Sequence, residues 1–243
     1  MNRFAACLIM ILASLIGGGS LLLCGIFIII GPVTIIRFDA PEHQMLLWDG
    51  LLSMLFFVQH SGMVRASFRR RLSSIAPSRY HPSLYAIASG VTLTAVLLFW
   101  QTPQTLLFQL QGPLRWLPRA VSVLAIAGFI WGIRSLASFD TFGLAPFMAR
   151  SWGKDLPPPH LVVRGPYRWL RHPLYFFAMV LIWSVPDMSS DRLLFNSLWT
   201  LWIVMASFLE ERDLVVAFGE PYRKYQKAVP MLLPWRGPAG RRL

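Results

Sequence analysis

Two polar clusters flank the last apolar stretches of this 243-residue sequence, and they hold residue types that bind charged molecules. The first cluster lies at 164–175 and contributes Tyr167, Arg171, His172 and Tyr175. The second begins with the adjacent carboxylates Glu210 and Glu211, directly after the almost uncharged run 193–209. A carboxylate beside an apolar segment loses hydration and needs a partner. Together the clusters therefore predict a site for one small charged ligand.

The elements that position these clusters are membrane helices. Hydrophobic residues make up 55% of the chain and charged residues only 14%, which is too apolar for an ordinary soluble domain. The formal charge of +12 falls in short connections between apolar runs, as the positive-inside rule requires, and this placement argues against nucleic-acid binding. Cys7 and Cys24 both lie in the first apolar run, so we expect neither a metal site nor a disulfide framework.

Apolar segments long enough to cross about 30 Å of hydrocarbon predict an all-α, polytopic integral membrane protein of about six helical segments. We expect full spans at roughly 5–30, 45–64, 83–101 and 117–138, followed by a short helical hairpin at about 173–187 and 193–209. The first span is too long for a cleaved signal peptide and is expected to be retained. We divide the chain at the start of the longest polar connection, with N-terminal transmembrane helices in 1–138 and a functional core in 139–243.

The arginines set the predicted orientation. The connection 65–79 holds five arginines and no carboxylate, so we expect it in the cytoplasm. Alternation of the spans then places both termini and both polar clusters on that side, in a bacterial-type inner membrane. The alternative, that the clusters are only basic side chains anchoring helix ends, does not explain Glu210, Glu211 or His172. The tail after Pro234 is expected to be disordered or bound to the lipid surface.

A cytoplasmic pocket built from these clusters suits S-adenosylmethionine by residue type. Glu210 and Glu211 would bind its ammonium or ribose hydroxyls, and Arg171 or His172 its carboxylate. Tyr167 or Tyr175 would face its sulfonium or adenine. Nucleotides and lipids would fit the same mixture of residues, so composition alone leaves the ligand open.

The order of the residues in the two clusters is more specific. The first reads Arg171-His172-Pro173-x-Tyr175, and the second runs from Glu210-Glu211 through Phe218-Gly219-Glu220 to Val229-Pro230. This pattern resembles the isoprenylcysteine carboxyl methyltransferase and phospholipid methyltransferase superfamily of membrane enzymes. Residues 57–65 and 139–144 are similar to motifs of its methanethiol S-methyltransferase branch, which is related to the NnrU-type proteins.

The resemblance implies methyl transfer from S-adenosylmethionine to a small thiol or membrane-soluble acceptor, with methanethiol as first choice and dimethyl sulfide as product. The cofactor site that it implies consists of Tyr167, Arg171, His172, Tyr175, Glu210 and Glu211. Other acceptors within this chemistry are a prenylcysteine carboxylate, a phospholipid amine or another small thiol.

A thiol reacts as its thiolate, so cations such as Arg171 would lower its pKa, and His172 or His60 would accept its proton. His60 has an equally simple structural interpretation, a histidine satisfied by a neighbouring helix. Tyr222 and Tyr225 would either pack over the site or anchor a helix at the lipid interface. A rival class is a non-catalytic NnrU-type protein of nitrogen-oxide or haem metabolism, with His60 and His172 as haem ligands.

Overall fold

The computed structural model of the chain describes residues 3–103, 105–136 and 161–240. These residues are mostly helical, as predicted, and they form two compact units. Residues 3–103 make up the N-terminal unit, and residues 105–136 with 161–240 make up the C-terminal unit. The motif at 139–144 and the proline run at 157–159 lie outside the described residues, and the functional division at 138/139 stays a prediction.

The N-terminal unit is a group of helices packed around α5. In order they are α1 (Arg3–Leu12), a π-helical turn (Ala13–Gly17), α2 (Gly18–Ile29), α3 (Glu42–Val64), α4 (Ala66–Leu72), a 3₁₀ turn (Ser78–Tyr80) and α5 (His81–Phe99). α5 packs against both α2 and α3. The core includes Phe27 and Trp100, which are almost fully buried and meet edge to face with ring centroids 5.7 Å apart. Arg65 has an extended backbone, which ends α3 and lets α4 begin in a new direction.

The C-terminal unit carries both polar clusters. It consists of β1 (Leu106–Gln109), a 3₁₀ turn (Gly112–Arg115), α6 (Trp116–Arg134), a second 3₁₀ turn (Gly165–Arg168), α7 (Pro173–Trp183), β2 (Asp187–Ser189), α8 (Ser190–Phe218) and α9 (Glu220–Ala228). β1 and β2 form a small antiparallel ribbon, with Leu106 opposite Ser189. Arg115 Nη2 lies 2.6 Å from Asp187 Oδ2 and fastens the start of α6 to this ribbon. α6 packs along α7, and α7 packs on α8.

Four described helical stretches are long and apolar enough to cross a membrane: Cys7–Ile29, His81–Phe99, Gly112–Arg134 and Ser190–Phe218. Three of them correspond to predicted full spans. α3 is helical over the predicted span 45–64, but it is not among the four because Asp49, Gln59 and His60 lower its mean hydropathy. Because it has several such helices, the chain is a multi-pass membrane protein.

The predicted length of the second helix in the short hairpin is wrong. α8 continues for 29 residues, nine beyond the predicted end at 209, so Glu210 and Glu211 lie inside a helix rather than at its end. Glutamate and arginine are good helix formers, and loss of hydropathy alone does not terminate a helix. The stop comes at Gly219, whose φ of +62° breaks the helical hydrogen bonding and turns the chain into α9. α7 begins at Pro173 as predicted and ends early, at Trp183.

The segment after Pro234 is partly packed onto the first cluster, unlike the expectation of a disordered or lipid-bound tail. Ala239 N donates to Arg168 O at 2.8 Å, and Arg168 Nε donates to Ala239 O at 2.8 Å. Because both bonds join the same two residues, they fix the tail as far as Ala239 against the Gly165–Arg168 turn.

Candidate functional site

The candidate site is built where four segments of the C-terminal unit meet. The Gly165–Arg168 turn supplies Tyr167, residues 171–175 supply the Arg-His pair and Tyr175, α8 supplies the two glutamates, and α9 supplies three further polar side chains. Gly165 has φ of +56°, and a Cβ there would lie 2.1 Å from Ser135 Oγ at the end of α6. Only glycine therefore lets the chain pass so close to α6 and enter the turn.

Glu211 is the centre of the cluster. Its Oε1 accepts hydrogen bonds from Arg171 Nε at 2.8 Å, His172 Nε2 at 2.7 Å and Tyr222 OH at 2.8 Å. Gln226 Nε2 donates to Oε2. Only 9% of the Glu211 side chain is exposed. A carboxylate has about four acceptor positions, so Glu211 is saturated by groups of the protein itself.

Arg171 is held as tightly as the carboxylate that it faces. Besides Glu211, its guanidinium donates through Nη1 to the carbonyls of Gln226 and Val229. The backbone amides of Arg171 and His172 donate to the carbonyls of Pro230 and Met231 at 3.0 and 3.1 Å. Arg171 thus holds α9 and the segment after it against the start of α7. Its ion pair with Glu211 contributes to this packing.

Glu210 has a different environment although it is the next residue. Its side chain is 44% exposed, and His172 Nδ1 lies 3.7 Å from Glu210 Oε2, which is too long for a hydrogen bond. Successive residues on an α-helix point about 100° apart. Glu211 therefore faces the packed cluster, and Glu210 faces an open edge.

Two tyrosines border that open edge. Tyr175 stacks on His172 with ring centroids 5.5 Å apart and an interplanar angle of 11°. Burial, and then the negative charge of Glu210, raise the pKa of Tyr167 to about 12. Tyr167 is therefore a neutral hydrogen-bond donor beside a carboxylate. Five predicted residues come together here: Arg171, His172, Tyr175, Glu210 and Glu211. Tyr167 approaches Glu210 from the Gly165–Arg168 turn.

Tyr222 and Tyr225 support the site from α9 and are only 2% and 3% exposed, which excludes the role of interfacial anchors. Tyr225 OH donates to the Tyr167 carbonyl at 2.6 Å. Burial and the hydrogen bond to Glu211 raise the pKa of Tyr222, so its phenol stays protonated and donates. Both rings form a small core that includes Val229 and packs against Leu161, Val163, Leu214, Val215, Phe218, Ala228 and Ala239.

Gln226 belongs to the cluster around Glu211 and was not predicted from the sequence. The signal for it was its spacing, because positions 222, 225 and 226 share one face of a helix. That signal becomes useful only when α9 is known to fold back on Glu211.

His60 lies in the N-terminal unit, within a polar network between α3 and α5. Its Nε2 lies 2.6 Å from Tyr85 OH, and its Nδ1 lies 3.2 Å from Ser89 Oγ. Thr92 Oγ1 donates to Gln59 Oε1 at 2.7 Å in the same network. Both ring nitrogens of His60 thus have partners on α5, as the structural interpretation of this residue requires.

Among the described residues, no group of three or more His, Cys, Asp or Glu side chains is arranged to hold a metal ion.

The chain is similar to known methyltransferases. Residues 115–221 match the family described as phospholipid methyltransferase. The chain is 35% identical over 196 residues to the methanethiol S-methyltransferase of Pseudomonas sp. (strain GM41(2012)), covering 78% of this chain and 74% of that protein.

Two more relatives give the same result. Methanethiol S-methyltransferase 1 of Bradyrhizobium diazoefficiens is 30% identical over 203 residues, which cover 82% of this chain and 70% of that protein. The Mycobacterium tuberculosis methanethiol S-methyltransferase is 32% identical over 197 residues, 81% of each chain. No solved structure matches the chain significantly. The predicted resemblance is confirmed, and the chain belongs to the methanethiol S-methyltransferase family of membrane methyltransferases.

Proposed function

We propose that this protein transfers the methyl group of S-adenosylmethionine to methanethiol and releases dimethyl sulfide. The chain belongs to a methyltransferase family, and the observation that carries the proposal is the difference in environment between its two adjacent glutamates. Glu211 is saturated by protein groups, whereas the half-exposed Glu210 stands at an open edge beside His172. At such an edge, Glu210 can bind a cationic ligand while the hydrogen bonds around Glu211 stay intact.

The residues at this edge fit the donor. Glu210 would bind the ammonium group or the ribose hydroxyls, and the phenol of Tyr167 would donate to an oxygen of the ligand. Tyr175 offers a ring face to the sulfonium or the adenine. Arg171 and Glu211 contribute by holding His172 and α9 in place, because their own polar atoms bond to each other and to the backbone.

The bound donor supplies an electrophilic methyl group on a positively charged sulfur. The methanethiol sulfur forms the new carbon–sulfur bond as the bond to the sulfonium breaks, and S-adenosylhomocysteine leaves. The protein must position the thiol and accept its proton. Because His172 Nε2 donates a hydrogen bond to Glu211, Nδ1 is the ring nitrogen left to accept a proton, and it lies on the Glu210 side. His172 Nδ1 is therefore the proposed proton acceptor.

His60 is the second proposed proton-handling residue. Its Nε2 contacts the Tyr85 hydroxyl at 2.6 Å, so a proton accepted at Tyr85 would pass to the imidazole through one short hydrogen bond. This contact supports a relay role for His60 and involves no direct contact with the thiol.

The proposed orientation follows the arginines. α4 carries Arg69, Arg70 and Arg71 in its last turn, and cytoplasmic connections are enriched in such residues. We place this connection, both termini and the open edge at Glu210 on the cytoplasmic side of an inner membrane, where S-adenosylmethionine is made. A fluorescent protein fused after Leu243 should then fold and fluoresce, while alkaline phosphatase at the same position should be inactive.

The direct test is headspace gas chromatography on membranes that contain the protein, supplied with S-adenosylmethionine and methanethiol. We expect dimethyl sulfide above an empty-vector control, lost in Glu210→Gln and kept in Asp213→Asn. Asp213 is an exposed carboxylate on the same helix, so it controls for loss of charge. If no dimethyl sulfide forms while calorimetry still detects S-adenosylmethionine binding, methanethiol is the wrong acceptor, and the prenylcysteine, phospholipid and other thiol acceptors are tested next. Absence of both product and binding would contradict the whole proposal.

A further inference from the structure

The N-terminal unit contains a cavity of about 550 Å³, and Tyr85, the contact of His60, is one of its lining residues. It lies where the end of α3, the short helix α4 and the start of α5 come together. The residues that line it are Met63, Val64, Arg69, Arg70, Leu72, Ser73, Ser78, His81, Pro82 and Tyr85. Because α5 is one of the helices able to cross a membrane, the cavity sits at one end of a membrane span.

The cavity has an excess of positive charge. Two of its lining residues are the arginines Arg69 and Arg70. The lining residues lie between Met63 and Tyr85, and the sequence contains no Asp or Glu between Asp49 and Asp140, so the segments that form the wall carry no carboxylate. The ion pairs found in the described part of the chain involve Arg115, Arg171 and His172, none of which lines the cavity. The first turn of the 19-residue helix α5 adds partial positive charge at His81. The wall is therefore suited to an anion.

The rest of the wall distinguishes a lipid from a small soluble anion. Met63, Val64, Leu72 and Pro82 give the cavity an apolar side. Ile75, on the loop that follows α4, is 85% exposed. A phospholipid presents charged phosphate and apolar glycerol ester side by side, which matches this division, whereas free phosphate would leave the apolar side unused.

We propose that this cavity binds the phosphate group of a net-anionic membrane phospholipid. Arg69 and Arg70 would form charge-assisted hydrogen bonds with the phosphate oxygens, and basic pockets at the ends of membrane helices are suited to such head groups. The bound lipid would fasten α4 to the membrane surface and fill the space between α3 and α5. The site shares no lining residue with the Glu211 cluster, and binding of a lipid there does not require the proposed reaction.

The test measures lipid binding rather than activity. The full-length protein, freed of lipid in detergent, is titrated with dioleoylphosphatidylglycerol, and the bound lipid is counted by native mass spectrometry. Dioleoylphosphatidylcholine, which has a phosphate but no net charge, is the zwitterionic comparison. The variant is Arg69→Gln with Arg70→Gln. Its matched control is Arg65→Gln with Arg71→Gln, which removes the same charge from exposed residues of the same segment that do not line the cavity.

We expect wild type and the control to bind one phosphatidylglycerol with equal affinity and to prefer it to phosphatidylcholine. The Arg69/Arg70 variant should bind at least about tenfold more weakly, the range for loss of charge-assisted hydrogen bonds, with an unchanged thermal unfolding temperature in lipid-free detergent. Equal binding by all three proteins, or equal loss in both double variants, would overturn the proposal. Displacement of the lipid by inorganic phosphate at a similar concentration would overturn it in favour of a free anion.

Discussion

His172 Nε2 lies 2.7 Å from Glu211 Oε1, and the same oxygen accepts a hydrogen bond from Tyr222. The imidazole is therefore oriented by a carboxylate that is itself fixed from α9. This relationship divides the site into a rigid base around Glu211 and an open edge at Glu210. Each of the following predictions tests one part of that division.

The two adjacent glutamates should respond differently to the same substitution. Glu211→Gln leaves the Arg171 guanidinium without its buried counter-charge, which costs about 3–5 kcal/mol of unfolding free energy. Glu210→Gln removes a half-exposed carboxylate and should weaken S-adenosylmethionine binding with little loss of stability. Tryptophan fluorescence during thermal unfolding in detergent and isothermal titration with the cofactor measure the two effects. Equal effects of both substitutions on both quantities would mean that the glutamates do not have separate roles.

His172→Ala should lower turnover by about 10² to 10⁴-fold, the usual contribution of a general base. It should also weaken cofactor binding, because the ring stacks on Tyr175 at the open edge. Added imidazole should restore part of the rate, since the substitution leaves a space of the same shape. His43→Ala, at an exposed histidine of α3, is the control and should leave turnover and cofactor binding unchanged. A purely structural role for His172 would give no imidazole rescue.

Tyr222→Phe removes one of the four hydrogen bonds to Glu211. Hydrogen bonds to charged groups contribute about 1.5–3 kcal/mol, so we expect a loss of stability of this size. Tyr225→Phe is the matched comparison, because Tyr225 is equally buried and its hydroxyl donates to a neutral carbonyl. Its expected loss is smaller, about 0.5–1.5 kcal/mol. Unfolding in guanidinium in a fixed detergent compares the two, and an equal or larger loss for Tyr225→Phe contradicts the central role of Glu211.

His60→Ala should lower turnover by at least about tenfold while S-adenosylmethionine affinity stays unchanged, if His60 relays a proton. Tyr85→Phe should have the same effect because it removes the hydroxyl that contacts His60 Nε2. Single-turnover kinetics and isothermal titration separate the two quantities. Wild-type turnover in both variants would leave His60 with the structural role that its bonds to Tyr85 and Ser89 already describe.

The sequence by itself determined the class of the protein and the identity of its main polar residues. Long apolar runs can satisfy their backbone hydrogen bonds in a membrane only as helices, so the helical membrane fold follows from composition and length. The order of residues around Arg171, His172, Glu210 and Glu211 was sufficient to predict the family. Neither inference required knowledge of which side chains meet.

The tertiary structure decided what each of these residues does. Glu210 and Glu211 are chemically identical in the sequence, and only the rotation of α8 directs one into the cluster and the other to the open edge. The predicted helix end before them was wrong because helix propensity and tertiary ion pairing outweigh the loss of hydropathy. The contacts of Gln226 and Ala239 depend on α9 and the tail folding back after Gly219. Such long-range contacts have no local signal in the sequence, since they are fixed only when distant segments pack together.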